Sequence, residues 1–137
     1  MTCELCELSV PVAWRGPKFS VIVVDDANYP GFCRVIWNGH VREMSDLAQE
    51  DRLLLNEAVF QLEEAVREVM QPLKLNVASL GNVVPHLHWH VIPRYADDAH
   101  FPAPVWAQAV RETPPGVLAA RRALLPQLEA AILRRFT

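Results

Sequence analysis

No uninterrupted apolar run in this 137-residue chain reaches the roughly 20 residues that a membrane-spanning helix needs. The opening residues, Met1-Thr2-Cys3-Glu4-Leu5-Cys6-Glu7, hold neither the basic region nor the apolar stretch of a secretory leader. A surplus of positive charge is missing too. The formal net charge is −3, so the basic footprint of a protein that binds long nucleic acid is absent. Any nucleic-acid-like ligand is expected to be small. Cysteine is scarce: three residues, an odd number, which argues against a disulfide framework and for a reducing, cytoplasmic setting. There is no internal repeat and no low-complexity tract. What remains is 51% hydrophobic and 21% charged, the composition of a globular domain rather than a disordered chain. The length suits one domain with one core. It is expected over residues 1–137, with its body in 3–95 and a C-terminal loop and helix in 96–137.

Against this background one stretch stands out, His86-Leu87-His88-Trp89-His90-Val91-Ile92. Successive side chains of a strand point to opposite faces, so the histidines share one face and Leu87, Trp89 and Val91 share the other, toward a core. Alternate residues lie about 6.5–7 Å apart, close enough for imidazoles to act on one ligand. A solvated strand face needs polar residues, but Thr, Lys or Glu serve that purpose better. Strict alternation of three histidines points instead to neutral imidazoles used as nucleophile, acid/base or metal ligand.

The rest of the chain reads as a frame for that strand. Pro11 limits residues 10–14 to an edge strand at best. Residues 19–24 are rich in β-branched side chains and read as a buried strand. Residues 25–31 are a loop by composition. Residues 32–37 return as the antiparallel partner, with Cys33 facing the core. Asp46 and Gln49 offer a capping box for a helix, with Ser45 as an alternative cap. Leu55, Val59, Leu62, Val66 and Val69 mark one apolar face of that helix, which runs to about Met70 before Pro72 closes it. Residues 75–80 read as a further strand, and Gly81-Asn82 opens the connection to the histidines. Pro93 and Arg94 are expected to end the histidine strand. Residues 97–106 are an aperiodic loop that forms a lid or packs on the body. A last helix is expected from Val117, broken or restarted at Pro126.

Cys3-Glu4-Leu5-Cys6 has the spacing with which two thiolates grip one metal ion. A redox pair shares that spacing, but such a motif wants a preceding strand, and none is read here. Zinc would need two more ligands, of which histidine is the natural type.

The pattern His, apolar, His, apolar, His, apolar, apolar over residues 86–92 is similar to the defining motif of the histidine triad family. Pro93-Arg94-Tyr95 and the order strand, loop, strand, long helix, strand, motif extend the resemblance over residues 3–95. It implies an α+β fold, a mostly antiparallel sheet of about five strands with one long helix and a C-terminal helix. It implies action at the α-phosphate of nucleotides, as a hydrolase or transferase of the diadenosine polyphosphate hydrolase-like kind. His88 would be the nucleophile that carries a nucleotidyl-histidine intermediate, and His90 would help the leaving group. Asp25 or Asp26 falls at the ribose-binding position and Asn82 at a phosphate contact. The few Lys and Arg near the motif suggest a site built from hydrogen-bond donors, with Arg94 as a helper. Some branches hold structural zinc through a Cys pair, a distant His and the first His of the motif. The matching set here is Cys3, Cys6, His40 and His86. No organic cofactor is implied. Family members are commonly homodimers, and residues 75–80 or the Leu55 helix would provide the interface.

Three departures bear on substrate. Gly31-Phe32 stands where many members have Gly-His, the Gly-rich stretch is shortened to Gly81-Asn82-Val83-Val84-Pro85, and Val83 replaces a serine of one branch. Each removes a phosphate contact; none touches His88. Two other readings therefore stand beside the enzyme: a non-catalytic nucleotide-binding or adaptor protein with a structural zinc site, and a metal-binding protein with the triad itself as ligands.

Overall fold

The structure is a computed structural model and describes residues 3–137. Residues 1 and 2, which belong to the domain expected over 1–137 and to the terminus read for a leader, lie outside the described residues. Five strands form one sheet: β1 (Trp14–Arg15), β2 (Phe19–Val23), β3 (Cys33–Trp37), β4 (Lys74–Ala78) and β5 (His88–Arg94). Their order across the sheet is β1-β2-β3-β5-β4, and every neighbouring pair is antiparallel. The long helix α1 (Gln49–Met70) connects β3 to β4, and α2 (Pro115–Arg122) and α3 (Leu125–Phe136) follow β5. This is the expected α+β arrangement, with the C-terminal helix restarted at Pro126.

Period-two alternation divides the sheet into two faces. Phe19, Val21, Cys33, Val35, Trp37, Leu87 and Val91 point one way. They meet Leu55, Leu62, Val66 and the rest of the apolar stripe of α1, together with Leu128 and Ile132 of α3. The other face carries Ile22 and Ile36, covered by Leu5 and Leu8 of the N-terminal segment. Beside them Phe32, Ile92 and Tyr29 pack under Val105 of the 97–106 loop. The histidines fall on this second face. The sheet therefore separates a dry core from a face covered by irregular segments, among them the N-terminal segment and the 97–106 loop.

Local boundaries differ from expectation for identifiable reasons. Asp46 does not cap α1. Its carboxylate accepts from the backbone N–H groups of Arg42 and Glu43 at 3.2 and 3.0 Å, closing a short 3-10 turn at Met44–Asp46, so α1 starts later, at Gln49. The helix ends before Pro72 with Gln71 in the left-handed region (φ 47°), its N–H bonded to the carbonyl of Arg67. β5 continues through Pro93 to Arg94. Pairing with β3 stops at Val91, whereas β4 still pairs opposite Pro93. The missing N–H of Pro93 faces past the end of β3, where no ladder bond is lost. Cys33 is fully buried in the core, and burial drives its thiol pKa well up.

Candidate active site and metal cluster

β5 carries His88 and His90, the extended chain just before it carries His86, and backbone carbonyls set the tautomers of His86 and His88. A carbonyl oxygen only accepts, so a ring nitrogen bonded to one must carry the proton. His86 donates from Nε2 to the carbonyl of Trp37 at 2.6 Å, which leaves Nδ1 as its lone-pair nitrogen. His88 donates from Nδ1 to the carbonyl of His86 at 2.6 Å, which leaves the lone pair on Nε2. The two neighbouring histidines thus present opposite nitrogens. The ring centroids of His88 and His90 lie 4.9 Å apart, with the planes near perpendicular.

His90 is held differently. Across the β3–β5 ladder its partner is Arg34, whose Nε donates to His90 Nδ1 at 3.4 Å. Nδ1 is therefore the acceptor, and the proton of neutral His90 sits on Nε2. Phe32 and Trp106 pack edge-on against the ring, with centroids 5.5 and 5.2 Å away. Burial lowers the pKa of His90 to about 4, and the charges of His88 and Arg34 add to the effect. His88 is also lowered, first by burial, with the hydrogen bond to the His86 carbonyl acting against it and Arg34 reinforcing it. Both rings are neutral at pH 7. Their Nε2 atoms take no hydrogen bond among the described residues, yet no buried side-chain nitrogen is left unpartnered there. The two nitrogens therefore reach the open face, although the residues as a whole are only 7% and 5% exposed.

Next to the triad lies an open cleft of about 870 Å3. Leu5, Leu8, Val12, Ile22 and Val24 give it apolar walls, and Asp25, Glu4 and Arg34 stand among them. Its size and its mostly apolar lining with few polar groups are those of a small-molecule site. Arg34 joins cleft to triad, since it lines the one and touches His90 in the other.

At the other end of the motif Cys3, Cys6, His40 and His86 converge, one ligand atom from each lying within 4.8 Å of the others. Cys3 Sγ and Cys6 Sγ lie 3.4 and 3.5 Å from His86 Nδ1. Cys6 Sγ is 3.3 Å from His40 Nδ1, and the two Nδ1 atoms are 3.1 Å apart. These are the edges of a small tetrahedron of donor atoms, a set that could hold a metal ion. His86 faces it with its lone-pair nitrogen because its other nitrogen is bonded to Trp37.

The remaining expected residues are placed as follows. Asp25 is exposed at the cleft. Asp26 accepts from the backbone N–H of Asn28 at 2.9 Å and shapes the loop. Asn82 is exposed on the connection before the motif. The geometry of Arg94 gives no support to a substrate contact. Its side chain is 2% exposed, and its guanidinium donates to both carboxylate oxygens of Asp98, to Asn76 and to the carbonyl of Ala103 at 2.7–3.1 Å. Asp98 also accepts from Tyr29 and from the backbone of Tyr95, His100 and Phe101. This knot fastens the 97–106 loop and with it Trp106. Sequence reasoning passed over Arg34, Trp106 and Asp98. For Arg34 there was a signal: it is the one charged residue of an otherwise apolar strand, in phase with Phe32 and Ile36.

An α+β protein with alternating histidines beside an apolar cleft is a defined class, and comparison places it. The HIT domain family matches residues 11–97. The chain belongs to that family, that of the histidine triad proteins. It is similar to a histidine triad protein of Bradyrhizobium japonicum, at 28% identity over 93% of this chain and 90% of that one, with a TM-score of 0.74. It is also similar to one from Marinobacter aquaeolei VT8, at 30% identity over 93% and 97%, with a TM-score of 0.69. A zinc-bound histidine triad family protein of Mycobacterium smegmatis shares the fold at 21% identity over 96% and 98%, with a TM-score of 0.61. None of the curated proteins compared with the chain matches it. Membership supports a nucleotide-binding, hydrolase or transferase kind of function.

Proposed function

We propose that the protein is a nucleotide hydrolase or nucleotidyl transferase that works at the α-phosphate through His88. The observation that carries this reading is the bond from His88 Nδ1–H to the carbonyl of His86. It leaves Nε2 unprotonated and facing the open side, as a nucleophile requires. Nε2 attacks phosphorus, a P–N bond forms, and the bond to the leaving oxygen or nitrogen breaks. His90 Nε2–H, whose tautomer Arg34 holds, donates a hydrogen bond to the leaving atom, which departs with the bonding electron pair and takes any proton it needs from solvent. Water or another acceptor then attacks the phosphoramidate and releases its proton to solvent, and the electron pair of the P–N bond returns to Nε2.

The cleft suits a nucleoside: apolar walls for the base, and Asp25 to accept from ribose hydroxyls. Asn82 is assigned to phosphate, with a movement of its loop. Candidate substrates are dinucleoside polyphosphates and nucleoside phosphoramidates. The Cys3–Cys6–His40–His86 set is assigned to structural zinc. Bond lengths of about 2.3 Å to sulfur and 2.0–2.1 Å to nitrogen place tetrahedral donors roughly 3.3–3.8 Å apart, close to the distances found, and the Mycobacterium smegmatis relative is described as zinc-bound. Zinc would pin the N-terminal segment to the strand before the catalytic histidines. We also assign a homodimer, built on the free edge of β4 and the exposed Leu53 and Phe60 of α1, and a cytoplasmic setting for its free thiols.

Turnover of these substrates by the purified protein tests the assignment. His88→Ala is expected to remove at least 1,000-fold of the rate, on the order of what loss of a nucleophile costs. Equal rates in wild type and variant would refute it. The non-catalytic alternative draws on the shortened phosphate loop, where Val83 is 93% exposed. Tight mononucleotide binding with no turnover of any candidate would select it.

A further inference from the structure

We propose that Arg34 is the phosphate-anchoring residue of this site, a fixed cation that makes the cleft select nucleotides over nucleosides. The inference rests on the nucleotide reading above. Four observations carry it. Arg34 lines the apolar cleft and bonds to His90, so it stands between the nucleoside compartment and the imidazoles that face phosphorus. Its Nε bonds to His90 and its guanidinium lies over the Phe32 ring, 5.8 Å from the centroid, but its Nη groups have no hydrogen-bond partner among the described residues. Burial works against its charge and Glu4 and Asp26 only partly offset this, and neither forms an ion pair with it among the described residues. A half-buried arginine without a carboxylate partner is a costly arrangement unless a ligand completes it.

The guanidinium geometry suits the task. With Nε turned to His90, the Nη groups remain free to meet two oxygens of one phosphate. Arg34 would thus do two things from one position: hold the anion, and keep the proton of His90 on the nitrogen that faces it. It brings to the phosphate, in a single side chain, the donors that the side chains of Phe32 and Val83 cannot offer. Unlike Arg94, it has donors to spare.

The test compares binding of AMP, GMP, CMP and UMP with binding of the matching nucleosides by calorimetry, for wild type, Arg34→Gln and Arg34→Lys. Circular dichroism melts confirm that each variant is folded. For the tightest monophosphate, Arg34→Gln is expected to weaken binding about 10–100-fold, the range of one or two charge-assisted hydrogen bonds. Its nucleoside should be held as before. Arg34→Lys keeps the charge and loses the Nε bond, so it should recover most of the affinity while kcat stays low. If Arg34→Gln binds monophosphate as wild type does while His88→Ala still abolishes turnover, the anchoring role is refuted and the nucleotide reading stands. If wild type binds no monophosphate and turns over no nucleotide, the reading itself fails and takes this role with it.

Discussion

Replacing Asp98 by Asn asks whether the 97–106 loop is an integral wall of the site or an accessory. Asp98 is fully buried and holds Arg94, itself 2% exposed, through bonds of 2.8 and 3.1 Å. Its carboxylate also takes three backbone N–H groups of the loop and the Tyr29 hydroxyl. Those donors hold its pKa down at about 2 against the desolvation that would raise it. Asn offers one acceptor oxygen and no charge, so Arg94 is left as a buried cation without its counter-ion. Breaking one side of such a pair costs about 3–5 kcal/mol. A chain of this length gains roughly 0.3 kcal/mol per kelvin of unfolding entropy near its midpoint, so the melting temperature should fall by about 10–17 °C. Scanning calorimetry reads the shift. Arg94→Met with Asp98→Leu removes both charges and should recover a good part of it. A loss below about 1 kcal/mol in Asp98→Asn, with the double variant no better, would refute the reasoning. A related readout is local. Trp106 packs 5.2 Å from His90, and its fluorescence should shift to the red as the loop comes away, before global unfolding.

Further predictions concern the metal cluster, the titration of His90 and assembly. Metal analysis should find one equivalent of zinc in wild type and in a His88→Ala, His90→Ala double variant, and none in Cys3→Ser, Cys6→Ser. Chelation should lower the melting temperature of wild type; retention of zinc by the cysteine variant would place the ion elsewhere. The folded pKa of His90, about 4, lies below the usual value near 6.5, so the unfolded chain binds the proton more readily. Its contribution to stability is full above pH 6.5, declines as pH falls toward 4 and is gone below that. Urea titrations should therefore show wild type losing stability faster than His90→Asn over that window, and parallel curves would exclude the effect. Light scattering should give twice the chain mass for wild type and a monomer for Phe60→Glu; an unchanged mass would remove that helix face from the interface.

Much of the frame was legible because it depends on periodicity. The β-branched runs, the apolar stripe from Leu55 to Val66 and the alternation of His86, His88 and His90 are short-range patterns, and each recurs in the structure at the residues that carry it. Errors gathered at boundaries, where a tertiary partner outweighs a local preference. Asp46 had two nearer N–H groups to serve and did not cap α1. Pro93 stayed in its strand because β3 had already ended. Arg94 was read as a helper at the site, and the return of the chain at Asp98 engages its guanidinium.

The order of residues alone dictated which imidazoles share a face, because side-chain direction along a strand is a property of the backbone. It also put His86 one step from His88 and His90 on that face. Folding decided which nitrogen of His86 and of His90 is bare, since that depends on the Trp37 carbonyl and the Arg34 guanidinium, far away along the chain, whereas His88 is set by the carbonyl of His86 two residues before it. It likewise decided which arginine stands free beside the cleft: charge can be counted from a sequence, but whether it is already neutralised depends on what packs against it.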